Sequence, residues 1–188
     1  MEDIKVIAIT GTPGTGKTTL AEKISEELDF ELFDLNKFIK EEGIYEPDED
    51  GTKIVDRNDL QNSFENILEE KNHDLVVDGL LSYLLSSNQV DHIVILRANP
   101  NTLRKRLNRR DDFSEEKIEE NIESEAIGAV TSESIERHGI KNIFEIDSTE
   151  KGPKEILETL KKGLENKVQL KPGNIDWLEE YVKHTDKD

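Results

Sequence analysis

The chain contains no cysteine, few aromatic residues and comparatively little positive charge. Without cysteine it can form neither disulfide bonds nor thiolate metal sites, which agrees with a reducing, cytoplasmic compartment. No run of about 18 apolar residues is present, and the first three residues lead directly into an apolar segment, so we expect neither a membrane span nor a secretion signal. A length of 188 residues, 34% of them hydrophobic, predicts a single domain with a modest core.

Acidic residues outnumber basic ones by 43 to 25, which gives a net charge of −18 at pH 7. Such a charge repels a phosphate backbone and an anionic bilayer, and it therefore argues against nonspecific binding to nucleic acid or to membranes. It is compatible with a basic protein partner, with high solubility alone or with a salt-adapted host.

The most informative segment is IKVIAITGTPGTGKTT at residues 4–19. Its glycine, lysine and threonine spacing satisfies the G-x-x-x-x-G-K-[ST] pattern of a phosphate-binding loop. An apolar, β-branched run precedes the loop, as in a buried parallel strand. Apolar residues four apart follow it at Leu20, Ile24 and Leu28, as on one face of a helix. This order of strand, glycine loop and helix predicts binding of a nucleoside triphosphate.

Elementary chemistry predicts a role for each residue of the loop. Gly14 and Gly16 lack a Cβ atom, which lets backbone N–H groups surround a β-phosphate. Lys17 would neutralise the β- and γ-phosphate oxygens, the Thr18 hydroxyl would ligate Mg²⁺, and Thr19 would lie near the α-phosphate. The expected nucleotide-binding set within the loop and the first helical turn is Gly14, Thr15, Gly16, Lys17, Thr18 and Thr19. The side chains of Thr10, Thr12 and Thr15 are expected to shape the loop.

Four further segments have the pattern of strands, at residues 30–34, 74–78, 92–97 and 142–147. Helical patterns lie around residues 36–42, 57–71, 79–87, 100–109, 114–137 and 153–166. Strands that alternate with helices predict an α/β fold in which a parallel sheet is covered on both faces. Residues 43–56 have the composition of a loop, and we expect the tail beyond Pro172-Gly173 to pack back on the body.

Asp78 ends the apolar strand 74–78, where an aspartate of a nucleotide-binding fold faces Mg²⁺ and its water ligands. The segment from Asp34 to Arg57 follows the second strand and is expected at the carboxyl edge of the sheet, where an acceptor can bind. Within this segment Lys40 and Arg57 are candidates to bind an acceptor phosphate.

Residues 104–113 concentrate five cationic side chains in an otherwise acidic protein. A phosphoryl-transfer site needs cations beside the migrating phosphoryl group, and arginine suits that role. The candidates are Arg104, Arg106, Arg109 and, first among them, Arg110. The alternative is that these side chains only complement the negative end of a helix dipole.

In the order and spacing of its motifs the chain resembles the archaeal and eukaryotic-nuclear atypical adenylate kinases. These are small NMP kinase-like NTPases that assist small-subunit ribosome maturation. The shared motifs are TGTPGTGKTT, KEEGIYEPDED, IVDRNDL, LVVDG, HIVILRANPNTLRKRLNRR and EEKIEENIESE. The similarity extends over nearly the whole chain and includes Asp176-Trp177 in the tail.

The resemblance implies a P-loop kinase fold with a five-stranded parallel core, an NMP-binding segment near residues 34–57 and a short lid near 109–119. It implies ATP contacts by the loop and by a lid arginine that matches Arg110, with Arg109 as the alternative. It also implies ATPase activity and a basic small-subunit ribosomal protein as partner. Two departures stand out. Leu80 occupies the position of a family histidine, and Asp111-Asp112 before Phe113 lengthen the lid.

Three functions therefore remain open. The first is Mg²⁺-dependent transfer of the ATP γ-phosphoryl group to AMP or another NMP, with Lys17, Asp78 and Arg110 as catalytic residues, Thr18 and Asp78 as the metal site, and Asp34, Lys40 and Arg57 at the acceptor. The second is an ATP-switched ribosome assembly factor with incidental kinase activity. The third is a kinase for another small metabolite on the same scaffold.

Overall fold

Five parallel strands form the central sheet of the computed structural model, which describes residues 5–47 and 53–185. The strands are β1 (Val6–Thr10), β2 (Glu31–Asp34), β5 (Leu75–Asp78), β6 (His92–Arg97) and β7 (Ile143–Asp147). They lie in the order β2-β5-β1-β6-β7, and each neighbouring pair is parallel. The strand order reverses at β1, so the loop after β1 lies at a switch point, where ligands of such sheets bind. The predicted α/β fold with a five-stranded parallel sheet is confirmed.

Helices cover both faces of this sheet. The α-helices of the described residues are α1 (Lys17–Leu28), α2 (Leu35–Glu42), α3 (Arg57–Glu70), α4 (Pro100–Leu107), α5 (Glu115–Ala126), α6 (Ala129–His138), α7 (Pro153–Leu164) and α8 (Leu178–Thr185). The last of these, α8, packs against α4 and α5. Within the described ranges, no helix is both long and apolar enough to cross a membrane.

Alternation along the strands divides the core into two layers. In β1, Val6 and Ala8 pack on one side with residues of α2 and α3, whereas Ile7 and Ile9 pack on the other side with residues of α1 and α7. Successive side chains of a strand point to opposite faces, so a strand buried on both sides is apolar throughout. This explains why β1, β5 and β6 are nearly continuous apolar runs in the sequence. A third, smaller cluster joins α4 to α5.

Three local predictions were wrong. The helical pattern at 114–137 forms two helices, because the chain turns between them at Gly128, which has a left-handed φ of 67°. The pattern at 79–87 forms only a 3₁₀ turn, Leu80–Leu84, whose carbonyl groups accept hydrogen bonds from Thr10 and Gln61. The predicted loop 43–56 contains an antiparallel pair, β3 (Glu46–Pro47) and β4 (Lys53–Ile54), and its residues 48–52 lie outside the described residues.

Candidate active site

Two clefts flank the loop between β1 and α1 at the carboxyl edge of the sheet. The larger one, here called the phosphate cleft, measures about 410 Å³. Its walls are the loop and the first turn of α1 together with Asn36, Asp78, Leu80, Arg110 and Phe113. The smaller one, here called the side cleft, measures about 240 Å³ and lies between the loop, Arg106 and the start of α7. Gly14, Gly16 and Thr19 line both clefts, so the two spaces adjoin along the loop.

The loop requires glycine for two different reasons. Gly14 has a φ of 89°, and a Cβ atom there would lie 2.9 Å from Leu103 Cδ1 and 3.1 Å from Leu107 Cδ2. Gly16 has a φ of 100° but open space around the position of a Cβ atom, so its requirement is conformational. At Gly14, the sequence of α4 and the shape of the loop therefore depend on each other.

Threonine side chains hold the loop in shape, as the sequence predicted. The Thr15 hydroxyl donates to the Thr12 carbonyl oxygen at 2.8 Å, and the Thr12 hydroxyl donates to Glu125 Oε2 at 2.6 Å. Ser148, which follows β7, donates to the Thr15 carbonyl oxygen at 2.8 Å. Thr12 and Thr15 are both buried, so these hydrogen bonds hold the backbone of the loop from its buried side.

Lys17 begins α1 and lines the phosphate cleft. Its ammonium group donates to the Thr12 carbonyl oxygen at 3.1 Å. Burial lowers the pKa of Lys17 to about 8, although the nearby carboxylates of Asp78 and Glu125 favour the charged form. A bound polyphosphate would add further negative charge and offset the cost of burying this ammonium group.

Thr18 and Asp78 meet at the base of the phosphate cleft. The Thr18 hydroxyl donates to Asp78 Oδ2 at 2.6 Å. The second oxygen, Oδ1, is buried and has no hydrogen-bond partner among the described residues. Burial raises the pKa of Asp78, while the bond from Thr18 and the charge of Lys17 act in the opposite direction. An orphaned carboxylate oxygen beside a hydroxyl is a suitable donor set for a hard cation such as Mg²⁺.

A resident metal centre made of protein side chains alone is not present in residues 5–47 and 53–185, where no group of three or more His, Asp or Glu side chains converges. This agrees with the chemistry of Mg²⁺, which usually takes one or two protein ligands and fills its other positions with phosphate oxygens and water.

The arginines of residues 104–110 separate in the structure. Arg110 lines the phosphate cleft, where it makes a bidentate bond to Asp112 and lies 4.8 Å from the centre of the Phe113 ring. Arg109 is exposed. Arg106 donates to the carbonyl oxygens of Gly14, at 3.3 Å, and Ser148, at 2.9 Å, and thereby joins the loop to β7. Arg104 forms an ion pair with Glu119 of α5 at the surface.

The candidate acceptor residues are not brought together. Asp34 caps α2 by accepting from the Lys37 backbone N–H at 2.9 Å, and Lys40 is exposed near the end of that helix. Arg57 lines a separate cleft of about 350 Å³ with Arg137 of α6. In the described part of the chain, neither Lys40 nor Arg57 lines the phosphate cleft.

Comparisons with known proteins place this geometry in a family. The family model described as "AAA domain" matches residues 7–128. A protein of Pyrococcus abyssi is 40% identical over 176 residues, which span 94% of this chain and 93% of the relative. A protein of Methanococcus maripaludis is 37% identical over 183 residues, spanning 94% of this chain and 97% of the relative. Both carry the name "Putative adenylate kinase".

The chain belongs to this adenylate kinase family.

Solved structures support the same fold for the kinase. Shikimate kinase from Bacteroides thetaiotaomicron has a TM-score of 0.57 at 20% identity, and YorR from Bacillus subtilis, solved with phosphorylated GDP, has a TM-score of 0.58 at 20% identity. Each match covers 86% of this chain and 96% of the solved one. The fold is thus that of a P-loop kinase.

Some residues that line the phosphate cleft of the kinase were missed from sequence. Asn36 lies two positions beyond the end of β2, at the carboxyl edge where an acceptor was expected, so its position was a usable signal. Phe113 was noted only for its effect on lid length. Leu80, noted from the sequence only as a departure from the resembled family, also lines this cleft and gives it an apolar wall.

Proposed function

We propose that this kinase transfers the γ-phosphoryl group of ATP to AMP in a Mg²⁺-dependent reaction. The observation that carries the proposal is the convergence of four groups on one cleft. These are the ammonium group of Lys17, the Thr18–Asp78 pair with its orphaned oxygen, the guanidinium group of Arg110 and the N–H groups of the loop. Phosphoryl transfer depends on positioning and on stabilisation of charge, and these groups supply both.

ATP binds along the loop in this proposal. Its phosphates contact backbone N–H groups between Gly14 and Thr19 at the positive end of α1. Its base enters the side cleft, where Leu20 and Ile156 offer apolar contacts and Arg106 offers a guanidinium plane. Because Gly14 and Thr19 line both clefts, one extended ligand can occupy both at once.

The chemistry of transfer is assigned to four side chains. Thr18 and Asp78 hold Mg²⁺, which when bound neutralises phosphate charge and orients the transferred group. Lys17 stabilises charge on the β- and γ-phosphate oxygens. Arg110 leaves Asp112 and turns to the migrating phosphoryl group as the lid, residues 109–119, closes. No covalent intermediate is required, because the acceptor phosphate attacks directly.

The acceptor site is assigned to the NMP-binding segment, residues 34–57. Among the described residues of this segment, Asn36 lines the phosphate cleft, beside Asp78 and Leu80. Asp34 contributes by fixing the start of α2. Lys40 and Arg57 reach an acceptor phosphate only if α2, α3 and the hairpin between them move toward the loop.

ADP production by the purified protein tests this function, with ATP, Mg²⁺ and each of AMP, CMP, GMP and UMP in turn. Strong stimulation by AMP, with two ADP formed for each AMP consumed, is the expected result. Lys17→Ala is expected to lose this turnover while it stays folded, and Lys162→Ala, at an exposed lysine on α7, is the matched control. Hydrolysis that no monophosphate stimulates would contradict the proposal.

A second candidate is an ATP-hydrolysing assembly factor that recognises a basic small-subunit ribosomal protein. Two observations favour it. The net charge of −18 would steer a basic partner, and the cations predicted for an acceptor phosphate do not line the phosphate cleft. Binding of such a protein in the ATP state or the ADP state, weakened by salt, would support this role. Absence of binding in both states would contradict it.

A further inference from the structure

A chain of buried charged side chains crosses the protein between the loop and the C-terminal tail. Its centre is Arg97 at the end of β6, whose side chain is 2% exposed. Arg97 Nε donates to Glu125 Oε1 of α5 at 2.8 Å, and Arg97 Nη1 donates to Glu145 Oε1 of β7 at 2.8 Å. Both carboxylates are 1% exposed at the side chain. The three charged groups are thus shielded from water, and hydrogen bonds between them take the place of hydrogen bonds to water.

One end of this triad reaches the nucleotide-binding loop. Glu125 Oε2 accepts from the Thr12 hydroxyl at 2.6 Å, in a contact buried on both sides. The carbonyl oxygen of the same threonine accepts from the Lys17 ammonium group at 3.1 Å. A carboxylate of α5 thus fixes the residue that holds the principal cation of the phosphate cleft.

The other end reaches the tail that precedes α8. Glu145 Oε2 accepts from the backbone N–H groups of Gly173, Asn174 and Ile175 at 2.9, 3.1 and 3.3 Å. Arg97 Nη1 also donates to the Ile175 carbonyl oxygen at 3.3 Å. The tail is therefore bound to the centre of the molecule by charge-assisted hydrogen bonds, which are about twice as strong as neutral ones.

A purely stabilising role explains this arrangement poorly. Buried ion pairs cost so much desolvation that well-packed apolar residues of similar volume are often equally stabilising. Buried polar networks instead specify one arrangement of the groups they join, because a partly satisfied network is costly. Here the groups that are joined are the loop at one end and the tail at the other.

We propose that Glu125 is a positioning residue of the nucleotide site, acting through Thr12, and that Arg97 and Glu145 extend this support to residues 173–175 of the tail. The proposal rests on the nucleotide binding proposed above. An intact triad holds the Thr12 carbonyl oxygen where it places the Lys17 ammonium group, and docking of the tail completes the triad.

Thr12→Val tests the loop end, because it removes the hydroxyl group and keeps the shape of the side chain. We expect it to weaken ATP binding about tenfold, as loss of a hydrogen bond to a charged group does, and to raise the KM for ATP more than the KM for AMP. Thr12→Ser keeps the hydroxyl group and should have the ATP affinity and the KM for ATP of the wild type. The control is Ser134→Ala, which removes a buried hydroxyl group that bonds only to the Val130 carbonyl oxygen of its own helix among the described contacts.

A double-mutant cycle tests whether the two ends act together. Glu145→Gln alone should weaken ATP binding about threefold, and combined with Thr12→Val it should weaken binding by less than the product of the two separate effects. Thr131→Val removes a hydroxyl group that donates to Glu145 Oε1 at 2.8 Å, and it replaces Glu145→Gln if that variant does not fold.

These measurements distinguish failure of the positioning role from failure of the proposed nucleotide binding. Folded Thr12→Val with the ATP affinity of the wild type would overturn the role of Glu125, and effects that multiply independently would overturn the link to the tail. Failure of the wild type itself to bind ATP would instead refute the proposed function.

Discussion

Removal of the Lys17 charge should make the protein more stable and much less active. Burial lowers the pKa of this lysine from 10.5 to about 8, a difference of about 2.5 pH units. At about 1.4 kcal/mol per unit, the charged ammonium group costs the free protein about 3 kcal/mol of folding stability at pH 7. Lys17→Met keeps most of the apolar stem and loses the bond to the Thr12 carbonyl oxygen, which contributes about 1 kcal/mol. The net gain is about 2 kcal/mol.

The difference in stability between the wild type and Lys17→Met depends on pH, and its direction follows from the lowered pKa of Lys17. Between about pH 8 and pH 10.5 the unfolded chain still binds the Lys17 proton, whereas the folded protein has released it. Stability rises with pH wherever the unfolded state binds more protons. The cost is therefore fully present below pH 8, and the stability of the wild type should approach that of Lys17→Met as the pH rises to 10.5.

Urea unfolding of both proteins at pH 7 and pH 10 measures this difference, and a thermal scan at pH 7 should show a melting temperature higher by about 4–8 °C in the variant. Turnover should fall by a factor of about 100 to 1,000, as when one donor to a developing charge is removed. Lys162→Met, at an exposed lysine on α7, should change neither property. A Lys17→Met protein that is less stable than the wild type would contradict the cost of burying this charge, and one that is equally active would contradict the role of Lys17 in transfer.

Other substitutions around the phosphate cleft have separate expected effects. Asp78→Asn should lower Mg²⁺-dependent turnover at least about 100-fold and leave metal-free ATP binding within about threefold, which kinetics and calorimetry at varied Mg²⁺ would measure. Gly14→Ala should abolish detectable ATP binding in calorimetry, since its Cβ atom would lie 2.9 Å from Leu103 Cδ1 at a φ of 89°; normal affinity would contradict the loop geometry. Arg110→Ala should reduce kcat about 100-fold and Arg109→Ala less than threefold, and equal losses would contradict the assignment of Arg110 to the cleft.

The fold could be predicted because both the hydrophobic pattern and the glycine loop indicate the same order of strands and helices. Each strand of the sheet is an apolar or alternating run between helical patterns, and the glycine loop identifies which strand is central. The interruption at Gly128 was missed because apolar periodicity continues from α5 into α6. The turn coincides with the left-handed φ of Gly128 and with the hydrogen bond that Arg97 Nη2 donates to the Glu125 carbonyl oxygen near the end of α5.

Site residues could be predicted where a residue type suited to the chemistry stands at a chain position that the fold places at the carboxyl edge of the sheet. Thr18 and Asp78 are 60 residues apart, yet their hydrogen bond follows from two adjacent parallel strands that end at the same edge. Lys40 and Arg57 were selected by their charge within the predicted acceptor segment, and neither property indicates which way a side chain on a helix points. The hydrogen bond between Thr12 and Glu125 could not be predicted from the sequence. A glutamate in a helix rich in acidic residues has the pattern of an exposed side chain, and only the tertiary fold shows that Glu125 is buried.

Transfer of the γ-phosphoryl group to AMP can be measured directly as the stoichiometry of ADP formation from ATP and AMP in the presence of Mg²⁺. The proposed kinase should form two ADP for each AMP consumed, and Lys17→Ala should form almost none. Slow release of phosphate at a rate that AMP does not change would contradict transfer to AMP.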